Sequence, residues 1–185
     1  MSLVLKDNPV LVDIQVNNLQ KHLFTDLTTK ASWTDYQSYP RVYVNVNGLD
    51  IIPEHYLESN EYEDVFFDDS FNVSSFFLVN PTREYDANSF TSEISIVFQG
   101  KLDQLYPGVL HRADEEMHND IFLAINRSDA MFELESFVTG RDNVYTGLTL
   151  SAELSERISQ DDMSDFHFVR FNLSVEYDEN DVCIE

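Results

Sequence analysis

The most constraining feature of the sequence is a strict alternation of apolar and polar residues near its C-terminal end. In the stretch FHFVRFNLSVEYD, residues 166–178, one alternate set is apolar and the other is mostly polar. The apolar set is Val169, Phe171, Leu173, Val175 and Tyr177, and the polar set is Arg170, Asn172, Ser174 and Glu176. A period of two places these sets on opposite faces of a strand. The stretch therefore predicts a long strand that buries one face.

Other stretches predict further strands. The segment SYPRVYVNVNGLDIIP alternates from Val42 to Val46 and then reaches Asn47-Gly48, a dipeptide that favours a type I′ hairpin turn. Pro53 is expected to end the second strand of this hairpin, because proline lacks the amide hydrogen of the ladder. Strands are also predicted at SSFFLV (74–79), around Ile94–Phe98 with an end at Gly100, at MFELESFVT (131–139) and at GLTLSAEL (147–154), whereas NPTREYDANSF (80–90) is typical of a loop.

Two segments have the periodicity of amphipathic helices. The first is predicted at about residues 9–28, with Asp7 or Asn8 as its cap and Pro9 in its first turn. Its apolar stripe is Val12, Val16, Leu19, Leu23 and Leu27. The second follows Pro107-Gly108, and its stripe is Leu110, Ala113, Met117, Ile121 and Ala124 or Ile125. Hairpins combined with two main helices predict the α+β fold class, with a mostly antiparallel sheet and both helices packed on it.

Length and composition predict a single domain over residues 1–185. It would carry an acidic, aromatic insertion at about 54–90 and a loose tail at about 178–185. The N-terminus lacks a basic region followed by an apolar core, so no secretory signal is expected. No apolar run approaches the roughly 18 residues that span a bilayer, so no membrane partner is expected. Cys183 is the only cysteine, which excludes an intramolecular disulfide and fits a reducing cytoplasm.

The formal net charge of −23 restricts the partners of the chain. Residues 51–100 alone carry ten acidic residues and one arginine. A protein that binds nucleic acid through phosphates needs clustered lysine and arginine, and the 11 such residues here are scattered. Direct sequence-specific binding of nucleic acid is therefore not expected.

One constellation could carry metal chemistry. On a helix, His111, Glu115 and His118 share one face, and zinc or iron accepts nitrogen and carboxylate ligands at such spacing. This spacing is neither H-E-x-x-H nor a paired E-x-x-H, and an exposed helix face is the favoured interpretation. No metal, cofactor or catalytic residue is predicted. A small metal-dependent enzyme centred on these three residues remains an alternative.

The order of elements resembles the tail terminator and tail-completion proteins of tailed bacteriophages, a family of head–tail connector rings. The resemblance rests on the first helix, the hairpin after YPRVYV, the strand SEISIVFQG, the second helix and the final strand FVRFNLSVEYD. It covers about residues 9–126 and 166–177. The segment 54–90 and the strands at 131–155 depart from the compact pattern of the family.

The resemblance implies a structural, non-enzymatic virion protein that is assembled in the host bacterial cytoplasm. Such a protein would close into a homo-oligomeric ring beside neck, portal-side or tail proteins, and DNA would pass through its lumen. An acidic wall suits that passage, because it does not retain phosphates. Tyr56, Tyr62, Phe66 and Phe67 are the interface candidates within the acidic segment. A second alternative is an acidic DNA mimic or inhibitor that occupies a basic site on a host protein.

Overall fold

A computed structural model describes residues 1–47, 50–56, 61–65, 70–86, 88–109, 113–128, 132–144 and 166–178. The element order is β1 (Ser2–Leu3), α1 (Val12–Thr29), β2 (Tyr36–Asn47), β3 (Asp50–Tyr56), β4 (Tyr62–Asp64), β5 (Val73–Asp86), β6 (Ser89–Lys101), α2 (Leu102–Leu105), α3 (Ala113–Asn126), β7 (Phe132–Thr139), α4 (Arg141–Val144) and β8 (Phe166–Asp178). This mixture confirms the predicted α+β class. No helix in the described part of the chain is long and apolar enough to cross a membrane.

The strands of the described ranges form one sheet in the order β4-β3-β2-β5-β6-β8-β7, and β1 adds to β2. The β1–β2 and β2–β5 pairs are parallel, and the other pairs are antiparallel. The longest ladder joins β6 to β8, from Ser89 opposite Asp178 to Lys101 opposite Phe166. The long strand predicted from strict alternation is therefore confirmed, and it lies between β6 and β7.

Helices α1 and α3 pack on one face of this sheet. Their apolar stripes meet alternate residues of β5, β6 and β8, which removes those side chains from water. The buried members of this helix-side core are Val12, Val16, Leu19, Leu23, Leu27, Trp33, Tyr36, Val73, Phe77, Ile94, Ile96, Phe98, Met117, Ile121, Ala124, Ile125, Val169, Phe171, Leu173, Val175 and Tyr177. The predicted packing of two main helices on the sheet is confirmed.

A second, smaller apolar cluster lies on the opposite face of the sheet. Neighbours in sequence divide between the two clusters, so that Phe77 faces the helices and Phe76 faces away from them. The buried members of the second cluster are Val42, Val65, Phe76, Leu78, Val97, Val144 and Phe168. The sheet is thus apolar on both faces in this region, which the continuous apolar run FFLV in β5 reflects.

The N-terminal segment differs from its prediction. Helix α1 is preceded by Leu11 at its cap position, which makes no side-chain capping bond, so Asp7, Asn8 and Pro9 lie before the helix. The segment before α1 instead runs alongside the helix: Ser2–Leu3 join the sheet as β1, and the residues that follow bond to side chains of α1. Gln20 Nε2 donates to the Val4 carbonyl at 2.8 Å, and Val4 N donates to the Ser38 carbonyl at 2.9 Å.

Two prolines were expected to interrupt strands and do not. The predicted loop at 80–90 is instead the end of β5 and the start of β6, with a register shift between Val79 and Arg83 that accommodates Pro81. Likewise, β3 continues past Pro53 to Tyr56. In the described ranges, β4 pairs only with residues 54–56 of β3, so at Pro53 the strand is bonded on one side.

The predicted hairpin is present as β2 and β3, but Asn47 is not a central turn residue, because it pairs with Asp50 as a residue of β2. Residues 48–49 lie outside the described ranges, as do the predicted strand 147–154 and residues 179–185 of the predicted tail. The predicted strand at 131–139 is confirmed as β7.

An ion-pair cluster joins the C-terminal ends of α1 and α3. Asp26 accepts a hydrogen bond from Arg127 Nη1 at 3.0 Å and also pairs with Lys30. Burial raises the pKa of Asp26, but the hydrogen bonds from Lys30 and Arg127 outweigh burial and hold the pKa below its ordinary value. This contribution to stability is therefore present above about pH 4 and is lost as pH falls through the folded-state pKa.

We expect Asp26→Asn to lower the free energy of unfolding near neutral pH by about 1–2 kcal/mol and to flatten its decline below about pH 4. Urea denaturation across pH measures both effects. Asp103→Asn, at an exposed residue of α2, is the matched control and should follow the wild-type profile. If the free energy of unfolding of Asp26→Asn declined below about pH 4 as steeply as that of wild type, the role assigned to Asp26 would be wrong.

Candidate functional site

The face of the sheet opposite α1 and α3 changes from apolar to polar along its strands. Beyond Val97 and toward the β5–β6 turn, the residues of this face become hydroxyls, amides and carboxylates. Ser95 Oγ donates to Asn172 Oδ1 at 2.9 Å, and Asn172 Nδ2 donates to Ser136 Oγ at 2.9 Å. This polar row crosses β6, β8 and β7, and it separates the second apolar cluster from an exposed acidic region.

Four exposed glutamates come from four adjacent strands. We call them the acidic face: Glu84, Glu93, Glu133 and Glu176. In one cross-strand row, Thr91 of β6 lies between Glu84 and Glu176. In the next row on this face, Ser174 of β8 lies between Glu93 and Glu133. In each of these two rows a hydroxyl residue therefore separates two carboxylates.

This alternation lets the sheet carry four like charges at small cost. Carboxylates in the same row are two strands apart, about 10 Å, which is close to a Debye length at physiological salt. Like charges directly opposite each other would be destabilising, and the intervening Thr91 and Ser174 avoid that arrangement. Asn80 Nδ2 also donates to Glu93 Oε2 at 2.7 Å. The acidic face is thus compatible with a stable sheet.

The cation nearest in sequence to the acidic face is Arg83, which directly precedes Glu84 on β5 and pairs with Ser92, a residue of the opposite face. Arg170 pairs with Val97, four residues along β6 from Glu93, and its Nη1 donates to the Val144 carbonyl at 2.9 Å. Lys101 lies at the far end of β6, where its Nζ is 5.0 Å from the centre of the Phe166 ring. None of the four glutamates makes an ion pair among the described residues. The charge of the acidic face is therefore not neutralised by a direct ion pair among these residues.

The predicted metal candidates are only partly brought together. Glu115 is exposed on α3, His118 is buried, and His111 lies outside the described ranges. The Nδ1 atom of His118 lies 3.9 Å from Glu115 Oε2. The partner of His118 is His167 of β8, with 2.8 Å between their Nε2 atoms and 5.0 Å between their ring centres. Helix spacing could not identify His167, which lies 49 residues away in sequence.

The environment of His167 favours its neutral form. Burial lowers the pKa of His167, the charge of His118 lowers it further, and Asp114 acts in the opposite direction. A neutral imidazole pair can share one N–H···N hydrogen bond, whereas two protonated rings would repel each other. Among the described residues, no three histidine, cysteine, aspartate or glutamate side chains converge as metal ligands.

The predicted interface candidates fall in different environments. Tyr56 is half-buried, and its ring centre lies 5.1 Å from Lys6 Nζ, within the range of a cation–π contact. Tyr62 pairs with Tyr56 across the β3–β4 ladder. Phe66 and Phe67 lie outside the described residues. The interface role of these four residues stays a prediction.

Comparison with known proteins gives no family assignment. No protein-family model matches this chain, and no curated protein matches it in sequence. The functional conclusion therefore depends on the acidic face and on the order and packing of the elements.

Proposed function

We propose that this protein is a structural subunit of a ring at the head–tail junction or tail of a tailed bacteriophage, like a tail terminator or connector. The observation that carries the proposal is the acidic face, with Glu84, Glu93, Glu133 and Glu176 exposed on four adjacent strands. With this face toward the lumen, the ring wall would repel DNA phosphates, so that the genome passes without adhering. In this proposal the protein is not an enzyme and belongs to the virion.

The arrangement of charge on the two sides of the sheet is compatible with this orientation. On the side of α1 and α3, acids and bases are mixed: Lys30 and Arg127 pair with Asp26, and the first turn of α3 carries three acidic residues. On the opposite side, none of the four glutamates of the acidic face makes an ion pair among the described residues. A ring with α1 and α3 outside would therefore present unpaired carboxylates to the lumen. Neighbouring neck, portal-side or tail proteins would contact the other surfaces.

The sheet also has ends at which copies of the chain could meet. A closed ring requires two different, complementary surfaces on every subunit. In the described ranges, β7 and β4 end the strand order, and no further strand pairs with the outer edge of β7. Phe137 on β7 is 49% exposed and is one of six large apolar side chains that are exposed among the described residues. These features support self-association through the two ends of the sheet.

The test uses the purified full chain and a variant in which all four glutamates of the acidic face become lysine. We expect closed rings by negative-stain electron microscopy at high protein concentration for both proteins. Wild-type rings should show no retention of duplex DNA in an electrophoretic mobility assay. The lysine variant should retain DNA in a salt-dependent manner, because its surface charge is reversed.

A control variant carries the same change of charge away from the acidic face. It replaces four exposed acids outside the strands with lysine: Asp7, Asp35, Asp103 and Glu116. This control should form rings that retain DNA far more weakly than rings of the acidic-face variant. Equal retention would contradict the lumen assignment. Failure of the wild-type chain both to form rings and to enter phage particles would contradict the proposed function itself.

The acidic face also favours a second candidate function, a DNA mimic that occupies a basic site on a host protein. An array of exposed carboxylates on one face of a sheet is the surface that such a site would accept. The two candidates differ in assembly state. A monomer that inhibits a DNA-binding host protein, with inhibition lost in the lysine variant, would favour the mimic.

A further inference from the structure

We propose that His118 and His167 bind one divalent transition-metal ion that prefers imidazole ligands, such as Zn²⁺, Ni²⁺ or Cu²⁺. The two Nε2 atoms come from different elements, α3 and β8, and lie 2.8 Å apart. Both elements belong to the helix-side core, through Met117 and Ile121 on α3 and Val169 on β8. The two nitrogens are therefore held near each other by packing on both sides. This inference is independent of the ring proposal.

The distance between the nitrogens is close to the one that an ion requires. Zinc binds histidine nitrogen at about 2.0–2.1 Å, so two tetrahedral nitrogen ligands are about 3.3 Å apart. The rings of His118 and His167 must therefore separate by about half an ångström and turn their lone pairs toward a common point. Such a shift is small for side chains in the second turn of α3 and near one end of the β6–β8 ladder.

Metal binding by the neutral histidine pair does not require the release of a proton. In the neutral pair, one Nε2 carries the proton of the N–H···N hydrogen bond. Coordination through both Nε2 atoms requires each ring to carry its proton on Nδ1 instead. Glu115 Oε2 lies 3.9 Å from His118 Nδ1, beyond hydrogen-bond distance, and its negative charge favours a proton on that nitrogen. The proton of the hydrogen bond thus moves to Nδ1 of the same ring.

The surroundings favour a cation at this position. Glu115 and Asp114 place two carboxylates on the same end of α3, and the ring of Phe137 covers His118 at 5.4 Å between ring centres. The described residues supply two nitrogen ligands, so water would complete the coordination of the ion.

The experiment is isothermal titration calorimetry of the untagged full chain with ZnCl₂ or NiCl₂ at pH 7.5, together with thermal unfolding. We expect saturable binding of one ion per chain and a higher Tm with the metal, because the ion binds the folded state. MgCl₂ should have no effect, since Mg²⁺ prefers oxygen ligands. Both His118→Gln and His167→Gln should weaken binding at least about tenfold.

Two controls keep the result specific. His22→Gln removes another histidine of the helix layer, whose Nε2 contacts the Ala124 carbonyl, and should bind the metal like wild type. Circular dichroism without metal verifies that each variant folds, and electron paramagnetic resonance of Cu²⁺-loaded wild type should show coupling to two nitrogens. Absence of saturable binding to wild type would overturn the proposal. Retention of binding in His167→Gln would also overturn it, because the ion would then depend on α3 alone.

Discussion

Replacing Trp33 with alanine should lower the free energy of unfolding by about 3–5 kcal/mol. Trp33 is completely buried and meets Tyr36 and Phe98 edge-to-face, with ring centres 5.7 and 6.1 Å away. Its indole N–H also donates to Tyr106 Oη at 3.0 Å and to Asp120 Oδ2 at 3.2 Å. Urea denaturation followed by far-UV circular dichroism measures the loss, because the variant has no tryptophan to report by fluorescence.

The matched variant Trp33→Phe separates packing from hydrogen bonding. It keeps an aromatic ring in the core but removes the donor, so Asp120 retains the Tyr106 hydroxyl, 2.6 Å away, as its donor. A loss of about 1–3 kcal/mol is expected, which is smaller than that of the alanine variant. A loss below about 1 kcal/mol in Trp33→Ala would show that the surrounding core does not depend on this side chain.

Replacing Phe171 with alanine should have a comparable effect, about 3–5 kcal/mol. Phe171 is 1% exposed at the centre of β8. Its ring centre lies 6.5 Å from that of Phe98 and 5.4 Å from that of Phe137, so it joins the middle of the core to the end strand β7. Removal of the ring leaves a cavity that the long β6–β8 ladder cannot close. Equilibrium urea denaturation measures the change.

Phe137→Ala is the matched control, because Phe137 stacks on Phe171 but is 49% exposed. Its loss should be only about 1 kcal/mol, since much of its ring already contacts water. The two variants remove the same side chain from the same stacked pair, and they differ mainly in burial. Equal losses of unfolding free energy in the two variants would mean that Phe137 is covered in solution, as self-association through β7 would require. The comparison should then be repeated at lower protein concentration.

The candidate sites were predictable only in part. Helix spacing identified Glu115 and His118, because positions three or four residues apart share a helix face. His167 was missed, because its nearness to His118 depends on how α3 packs over β8. The net charge likewise indicated an acidic surface, but it could not assign Glu84, Glu93, Glu133 and Glu176 to one face. That assignment requires the register of three strand pairs and the bulge after Val79.

Local periodicity determined the elements of this protein. The alternation in 166–178 and the apolar stripes of the two main helices established β8, α1 and α3, and with them the α+β class, because a period reports which face of an element is buried. Tertiary structure alone decided the rest: β1 beside β2, strands that continue through Pro53 and Pro81, the second apolar cluster and the His118–His167 contact. Each of these depends on a partner distant in sequence, and no local pattern specifies which distant segment will supply it.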